Sequence, residues 1–201
     1  MKILKFGGTS VANQHCIKNI IDIVNNENQC VVVVSAISGV TNLLTTCMKK
    51  AEEGNLEFKS EIEQIFNKHI DIVNQFISKK SDSKLVVFIK NELNKVKKLL
   101  EGISVVTEIT QNIYSKIIVT GEILSSKLMN EIFINKKINS RLIKGCDLIY
   151  INGNGQNHLI NWKKSSKKVN EIFNNNSFHV NVVPGFICKN ENGDLSTLGR
   201  G

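Results

Sequence analysis

Lys2-Ile3-Leu4-Lys5-Phe6-Gly7-Gly8-Thr9-Ser10 opens the chain, and Cys30-Val31-Val32-Val33-Val34 follows after one helical stretch. The first segment is short and apolar with lysines at intervals, which predicts a strand from Lys2 to Phe6. Gly7-Gly8 ends it, and Thr9-Ser10 offers two N-cap hydroxyls. Cys16, Ile20 and Val24, flanked by Ile17, Ile21 and Ile23, recur at helical spacing. Asn25 to Gln29 reads as a polar turn. The β-branched run Cys30–Val34 fits a strand buried on both faces. Strand, glycine turn, helix, strand is a βαβ unit, and it predicts an α/β fold with a largely parallel sheet.

Outward from that unit, Ser35 to Asn42 is a loop of small residues, and Leu43, Leu44, Cys47 and Met48 start a helix. Phe58 to about Leu100 has helical period, with a polar break at Ser78 to Ser83, so it reads as a helical hairpin. His69 falls on its apolar stripe and reads as a core-edge histidine rather than a ligand. A helix is expected from Gln111 to Val119, interrupted at Gly121 and continued from Glu122 to Ile134. Arg141-Leu142-Ile143 reads as a short strand and Asn152 to Gly155 as a loop. Trp162 to Phe173 reads as a helix anchored by Trp162, Val169, Ile172 and Phe173. Phe178–Val183 and Phe186–Cys188 read as strands around Pro184-Gly185, and Asn192-Gly193 as a hairpin turn. No internal repeat and no linker divides the chain.

The 201 residues, 41% hydrophobic and 22% charged, have the balance of a globular protein. No apolar run is long enough to span a bilayer, and Met1–Lys5 is too short for a secretory signal, so a cytoplasmic protein without a membrane partner is expected. The formal charge of +8 raises nucleic acid as a partner. Of the 26 basic residues, however, only Arg141 and Arg200 are arginine, and aromatics are 6%. Readers of nucleic acid lean on arginine forks and stacked rings, so no nucleic-acid partner is expected. The five cysteines and four histidines lack metal-ligand spacing, and no metal site is expected.

A strand that ends in two glycines and opens a helix leaves backbone N–H groups unpaired, which suits an anion. Lys5 at the strand end places a cation beside it. The segment is neither Gly-x-x-x-x-Gly-Lys-Ser/Thr nor Gly-x-Gly-x-x-Gly. On spacing alone, a phosphate cradle and a plain tight turn stand level. Glu122 fits either a site or the favourable end of a helix dipole. Thr41 fits a site or an N-cap, and Ser35 a site or a strand-end hydroxyl.

Lys5-Phe6-Gly7-Gly8-Thr9-Ser10 resembles the signature of aspartate kinases within the amino-acid kinase family. Three later segments resemble the same family in the same order: Val34-Ser35-Ala36 through Gly39-Val40-Thr41-Asn42, Gly121-Glu122-Ile123-Leu124-Ser125-Ser126, and Pro184-Gly185-Phe186-Ile187 followed by Thr197-Leu198-Gly199-Arg200-Gly201. The resemblance runs from Lys2 to Gly201. It implies a three-layer amino-acid kinase-like fold, of which residues 1–201 are the N-terminal portion. It implies phosphoryl transfer from MgATP to the side-chain carboxylate of L-aspartate, the first step toward lysine, threonine, methionine and isoleucine. Lys5 would be catalytic, lying across the transferred phosphates. Gly7, Gly8 and Thr9 would bind ATP phosphate. Ser35, Thr41, Glu122 and Arg200 would bind substrate, with Mg2+ carried by the nucleotide.

Family members continue past Arg-Gly with Gly-Ser-Asp, the nucleotide-binding half and regulatory ACT domains. Bifunctional members add a homoserine dehydrogenase. The expected partners are therefore a missing C-terminal half or a homo-oligomer. Lys144-Gly145-Cys146-Asp147 departs from the Asp-x-Arg-like segment the family often has. The alternative reading is a non-catalytic substrate-binding or dimerisation module, or an inactive relic.

Overall fold

In the computed structural model, which describes residues 1–77, 84–153, 159–174 and 176–198, a four-stranded parallel sheet organises the chain. Its strands, in spatial order, are β1 (Lys2–Phe6), β2 (Cys30–Val34), β6 (Val180–Pro184) and β3 (Ser140–Leu142). Between β1 and β2 runs α1 (Gln14–Asn25). Between β2 and β3 come α2 (Val40–Glu52), α3 (Lys59–Phe76), α4 (Lys84–Val106), α5 (Gln111–Ile118) and α6 (Thr120–Asn135). Two short strands, β4 (Ile151–Asn152) and β5 (Leu159–Ile160), precede α7 (Trp162–Phe173). The hairpin β7 (Ile187–Lys189) and β8 (Leu195–Thr197) follows β6, with Gly193 at φ +83° in its turn.

The two faces of the sheet are unequal, and the alternation of β2 shows why. Cys30, Val32 and Val34 join Val180 and Val182 in one large core with α1 to α6. Val31 and Val33 face the other way and meet Val183, Ile143, Val169, Ile172 and Phe173 in a small core under α7. Burying one such valine contributes about 1.5–3 kcal/mol, so a run of four on a doubly covered strand commits β2 to the interior. On the α7 side Arg141 is half-buried. Its guanidinium donates to Asn181 Oδ1 (2.6 Å) and to the Ile172 carbonyl (3.0 Å), and it stacks on Phe178. Cover on this side stops short of β1, where Ile3 is 72% exposed.

Three sequence expectations change in detail. Thr9 and Ser10 do not cap α1. They lie in a 3-10 turn, Gly8–Val11, and the cap is Asn13, whose side chain accepts from the Cys16 N–H (3.0 Å). The chain needs that extra turn to swing α1 back over the sheet. Gly121 does not interrupt a helix. The break is at Val119, and Gly121 lies inside α6 because it packs against another segment. Trp162 is not an anchor. It sits at the first position of α7 and is 71% exposed, while Val169, Ile172 and Phe173 do the packing. The expected break at Ser78 to Ser83 and part of the Asn152 to Gly155 loop lie outside the described residues. Among the described residues, no helix is long and apolar enough to cross a membrane.

Candidate active site

The carboxyl ends of parallel strands are where open α/β sheets hold ligands. Here they gather the motifs that the sequence singles out. Lys5 and Phe6 pair in register with Val33 and Val34, and Val34 pairs with Pro184. The end of β1 is tied to the end of β2 by the Ser35 N–H donating to Phe6 O (3.1 Å). The Gly7-Gly8 turn is tied to the next loop by the Ser38 N–H donating to Gly8 O (3.2 Å). Lys5 is exposed, and among the described residues no ion pair engages its ammonium.

Two glycines make the convergence possible. A Cβ on Gly8 would stand 2.8 Å from Ala36 O, a backbone atom that cannot step aside. A Cβ on Gly121 would stand 2.7 Å from Ala36 Cβ and 3.3 Å from Val40 Cγ1. Ala36 is thus a wedge between the glycine turn after β1 and the first turn of α6. The Ser125 hydroxyl donates to Ser35 O (2.7 Å) and fastens α6 to the same loop. Glu122, only 7% exposed, is held in that first turn of α6, and Ser35 is half-buried. Thr41 is half-buried in the first turn of α2. It is not the N-cap, which is Gly39 at φ +84° with no side-chain cap bond. The ammonium end of Lys68, on α3, lies against Gly39.

Lys5, Gly7, Gly8, Thr9, Ser35, Thr41 and Glu122 therefore come together around one loop. Arg200 lies outside the described residues. Among the described residues, nothing stands within 4 Å of where a Cβ on Gly7 would be, so an anion has room to approach the backbone there. Only the dipole of one 3-10 turn stands directly behind these glycines, because α1 starts at Gln14. Among the described residues, no group of three or more His, Cys, Asp or Glu could hold a metal ion.

Sequence reasoning missed Ala36, the pivot of the arrangement, since a lone alanine carries no chemical signal. The signal was present in its neighbour, because a glycine inside a helical pattern marks close approach. Gly121→Ala tests the wedge. Helix propensity alone favours alanine by about 1 kcal/mol, but overpacking costs roughly 1–3 kcal/mol, and Ala36 has no flexible end to move. We expect a net loss of about 1–2 kcal/mol in denaturant unfolding. An unchanged or raised midpoint would show that the contact yields.

The model of the amino acid kinase family matches residues 1–201. A bifunctional aspartokinase/homoserine dehydrogenase of Buchnera aphidicola is 32% identical over 209 residues, covering 100% of this chain and 25% of that protein. Aspartokinase 1, chloroplastic, of Arabidopsis thaliana is 27% identical, covering 99% of this chain and 36% of its own length. The crystal structure of E. coli aspartokinase III in complex with aspartate and ADP superposes with a TM-score of 0.87 at 23% identity, over 100% of this chain and 44% of that one. Aspartate kinase of Clostridium acetobutylicum gives 0.76 at 20% identity, over 99% and 42%. These two likenesses concern the fold. The chain spans about a quarter of the length of the bifunctional relative it matches. With the family model matched end to end and the parallel sheet, glycine turn and buried glutamate all in the expected order, the chain belongs to the amino acid kinase family.

Proposed function

We propose that residues 1–201 are the N-terminal part of an amino-acid kinase domain that phosphorylates the side-chain carboxylate of L-aspartate, giving 4-phospho-L-aspartate. The observation that carries the reading is the meeting of three motifs at Ala36: the Gly7-Gly8 turn, the Ser35–Thr41 loop and the Gly121-Glu122 turn of α6. The names of the relatives support it, since they are aspartokinases alone or fused to homoserine dehydrogenase.

MgATP, when bound, supplies the phosphoryl group, and the metal enters with the nucleotide. The open approach at Gly7 and the Lys5 ammonium, which no ion pair engages among the described residues, fit phosphate oxygens. Phosphoryl transfer depends mostly on positioning and charge neutralisation. Lys5 neutralises the phosphates, and Gly7, Gly8 and Thr9 offer backbone donors. Glu122, as a carboxylate, accepts from the substrate's α-ammonium. Ser35 and Thr41 line the amino-acid side. Arg200 offers a planar fork to a substrate carboxylate. The remaining nucleotide contacts belong to a continuation of the chain or to a partner that supplies the same half.

The test is ADP formation by the 201-residue chain, alone and joined to the downstream part of the Buchnera relative in place of that protein's own matching segment. We expect turnover in the joined protein that requires L-aspartate. Turnover indifferent to aspartate would sink the substrate assignment. No turnover, with the unaltered relative active in the same assay, would sink the kinase reading.

A further inference from the structure

The two sides of the sheet carry surface patches of opposite charge. On the large-core side, α2 and α4 finish beside each other, since a Cβ on Gly54 would stand 3.9 Å from Ser104 O. Three apolar side chains stand in solvent there. Val105 is 83% exposed, and Val106 and Leu56 are exposed as well. Glu52, Glu53, Glu57 and Glu108 flank them, all exposed, and among the described residues no ion pair engages any of the four. Lys50 is taken by Glu61, and the carboxylates outnumber the exposed Lys49 and Lys59. This end is acidic in a chain whose formal charge is +8.

On the small-core side, the entry to α7 has the reverse character. Leu159 is 75% exposed, and Trp162 stands in solvent close behind it. Lys163, Lys164 and Lys167 follow on α7, exposed and in no ion pair among the described residues. The Lys164 ammonium lies 4.1 Å from the centre of the Tyr150 ring, which holds it against the β4–β5 ribbon. Each patch thus has an apolar centre and a charged rim, the anatomy of a protein interface, and the rims are opposite in sign. Tryptophan is a residue type that anchors such contacts. Because the patches lie on opposite faces of the sheet, one molecule cannot close them on itself.

We propose that the α7 face of one chain docks on the α2–α4 end of a second copy. The contact is heterologous. Each molecule keeps one free patch of either sign, so copies add head to tail. The rims are solvent-exposed, so salt weakens the contact as the screening length falls from about 10 Å at 0.1 M to about 3 Å at 1 M. Failure of the aspartate reading would leave this claim untouched.

Sedimentation equilibrium of the 201-residue chain tests it. The weight-average mass should climb with concentration past that of a dimer, and association should weaken at least tenfold between about 0.1 M and 1 M salt. Trp162→Ser and Val105→Ser should each weaken it at least tenfold with the unfolding midpoint unchanged. Two further variants reverse one rim at a time. Lys163→Glu with Lys164→Glu makes both patches acidic, and Glu52→Lys with Glu53→Lys makes both basic. Each should stay monomeric alone. An equal mixture should associate again, because every α7 face then meets a rim of opposite sign on the other variant. A mixture that stays monomeric would overturn the proposal, as would a monomeric wild type. Association that both reversed variants keep would place the contact elsewhere, at the bare edge of β1 for example, and would also overturn it. Loss in the α7 reversal alone would give the lysines some other acidic partner and remove the α2–α4 end from the contact.

Discussion

Lys5→Ala is expected to lower kcat on the order of 10²–10³-fold, the scale lost when one preorganised charge-stabilising group is removed. The physical case is the position of the ammonium. Lys5 is next to the last residue of β1, exposed, beside a glycine turn with open space over Gly7, and no ion pair engages it among the described residues. A lysine kept apart from carboxylates at the carboxyl end of a parallel strand is poised for an anion that arrives with the ligand. KM for aspartate should move little, because Glu122 and Thr41 sit on the other side of the Ala36 wedge. Stability should stay within about 0.5 kcal/mol, as for most exposed substitutions. Lys5→Arg should not restore the rate, since a planar fork does not replace a compact ammonium. Full activity in Lys5→Ala, or inactivity accompanied by loss of the folded state, would remove Lys5 from the chemistry.

The second large effect concerns pH and stability. His69, on α3, is wholly buried. Its Nδ1 is 2.7 Å from the Ile65 carbonyl, and its Nε2 has no hydrogen-bond partner among the described residues. Burial pushes its pKa down to about 4; the Ile65 hydrogen bond opposes this and the Lys68 charge adds to it. As pH falls below the ordinary histidine value near 6.5, the unfolded chain takes up a proton that the folded chain refuses until about 4. Stability is therefore whole above pH 6.5 and is lost as the pH falls from there to about 4, by about 3 kcal/mol in all. That is a large part of the 5–15 kcal/mol that holds a typical domain. Between pH 7 and 4.5 the wild type should lose about 2 kcal/mol more than His69→Leu, in paired denaturant titrations. Parallel losses in the two proteins would mean that the histidine is protonated within the fold.

Periodicity made the architecture legible because it reports burial directly. Cys30–Val34 announces a strand covered on both faces, and the structure covers it on both faces. The α3 and α4 stripes, the hairpin at Asn192-Gly193 and the core place of His69 follow in the same way. Periodicity says nothing of where a covering layer stops, so Trp162 read as an anchor although it begins α7 in solvent. Local capping rules favoured Thr9 and Ser10, but the path of the chain over the sheet set the start of α1 at Gln14. The candidate site was legible only as types and order of residues. Its geometry was not, because Ala36 acts through bulk, which a composition does not reveal.

The strand order also fixes a sequence of events during synthesis. Cys30 in β2 pairs with Val180 in β6, so about 150 residues must emerge before the centre of the sheet can close. Until then the valines of β2 have β1 on one side and an open row of amides and carbonyls on the other. Contacts this distant in sequence form slowly, and unpaired strands in the waiting chain invite association. The helices α2 to α6, which pack on one another and all precede β6 in the chain, can gather first and shield one face of the pair. The opposite face stays bare until β6 and α7 arrive. On a ribosome, the nascent chain should depend on holding factors most in the interval between the release of β2 and the release of β6.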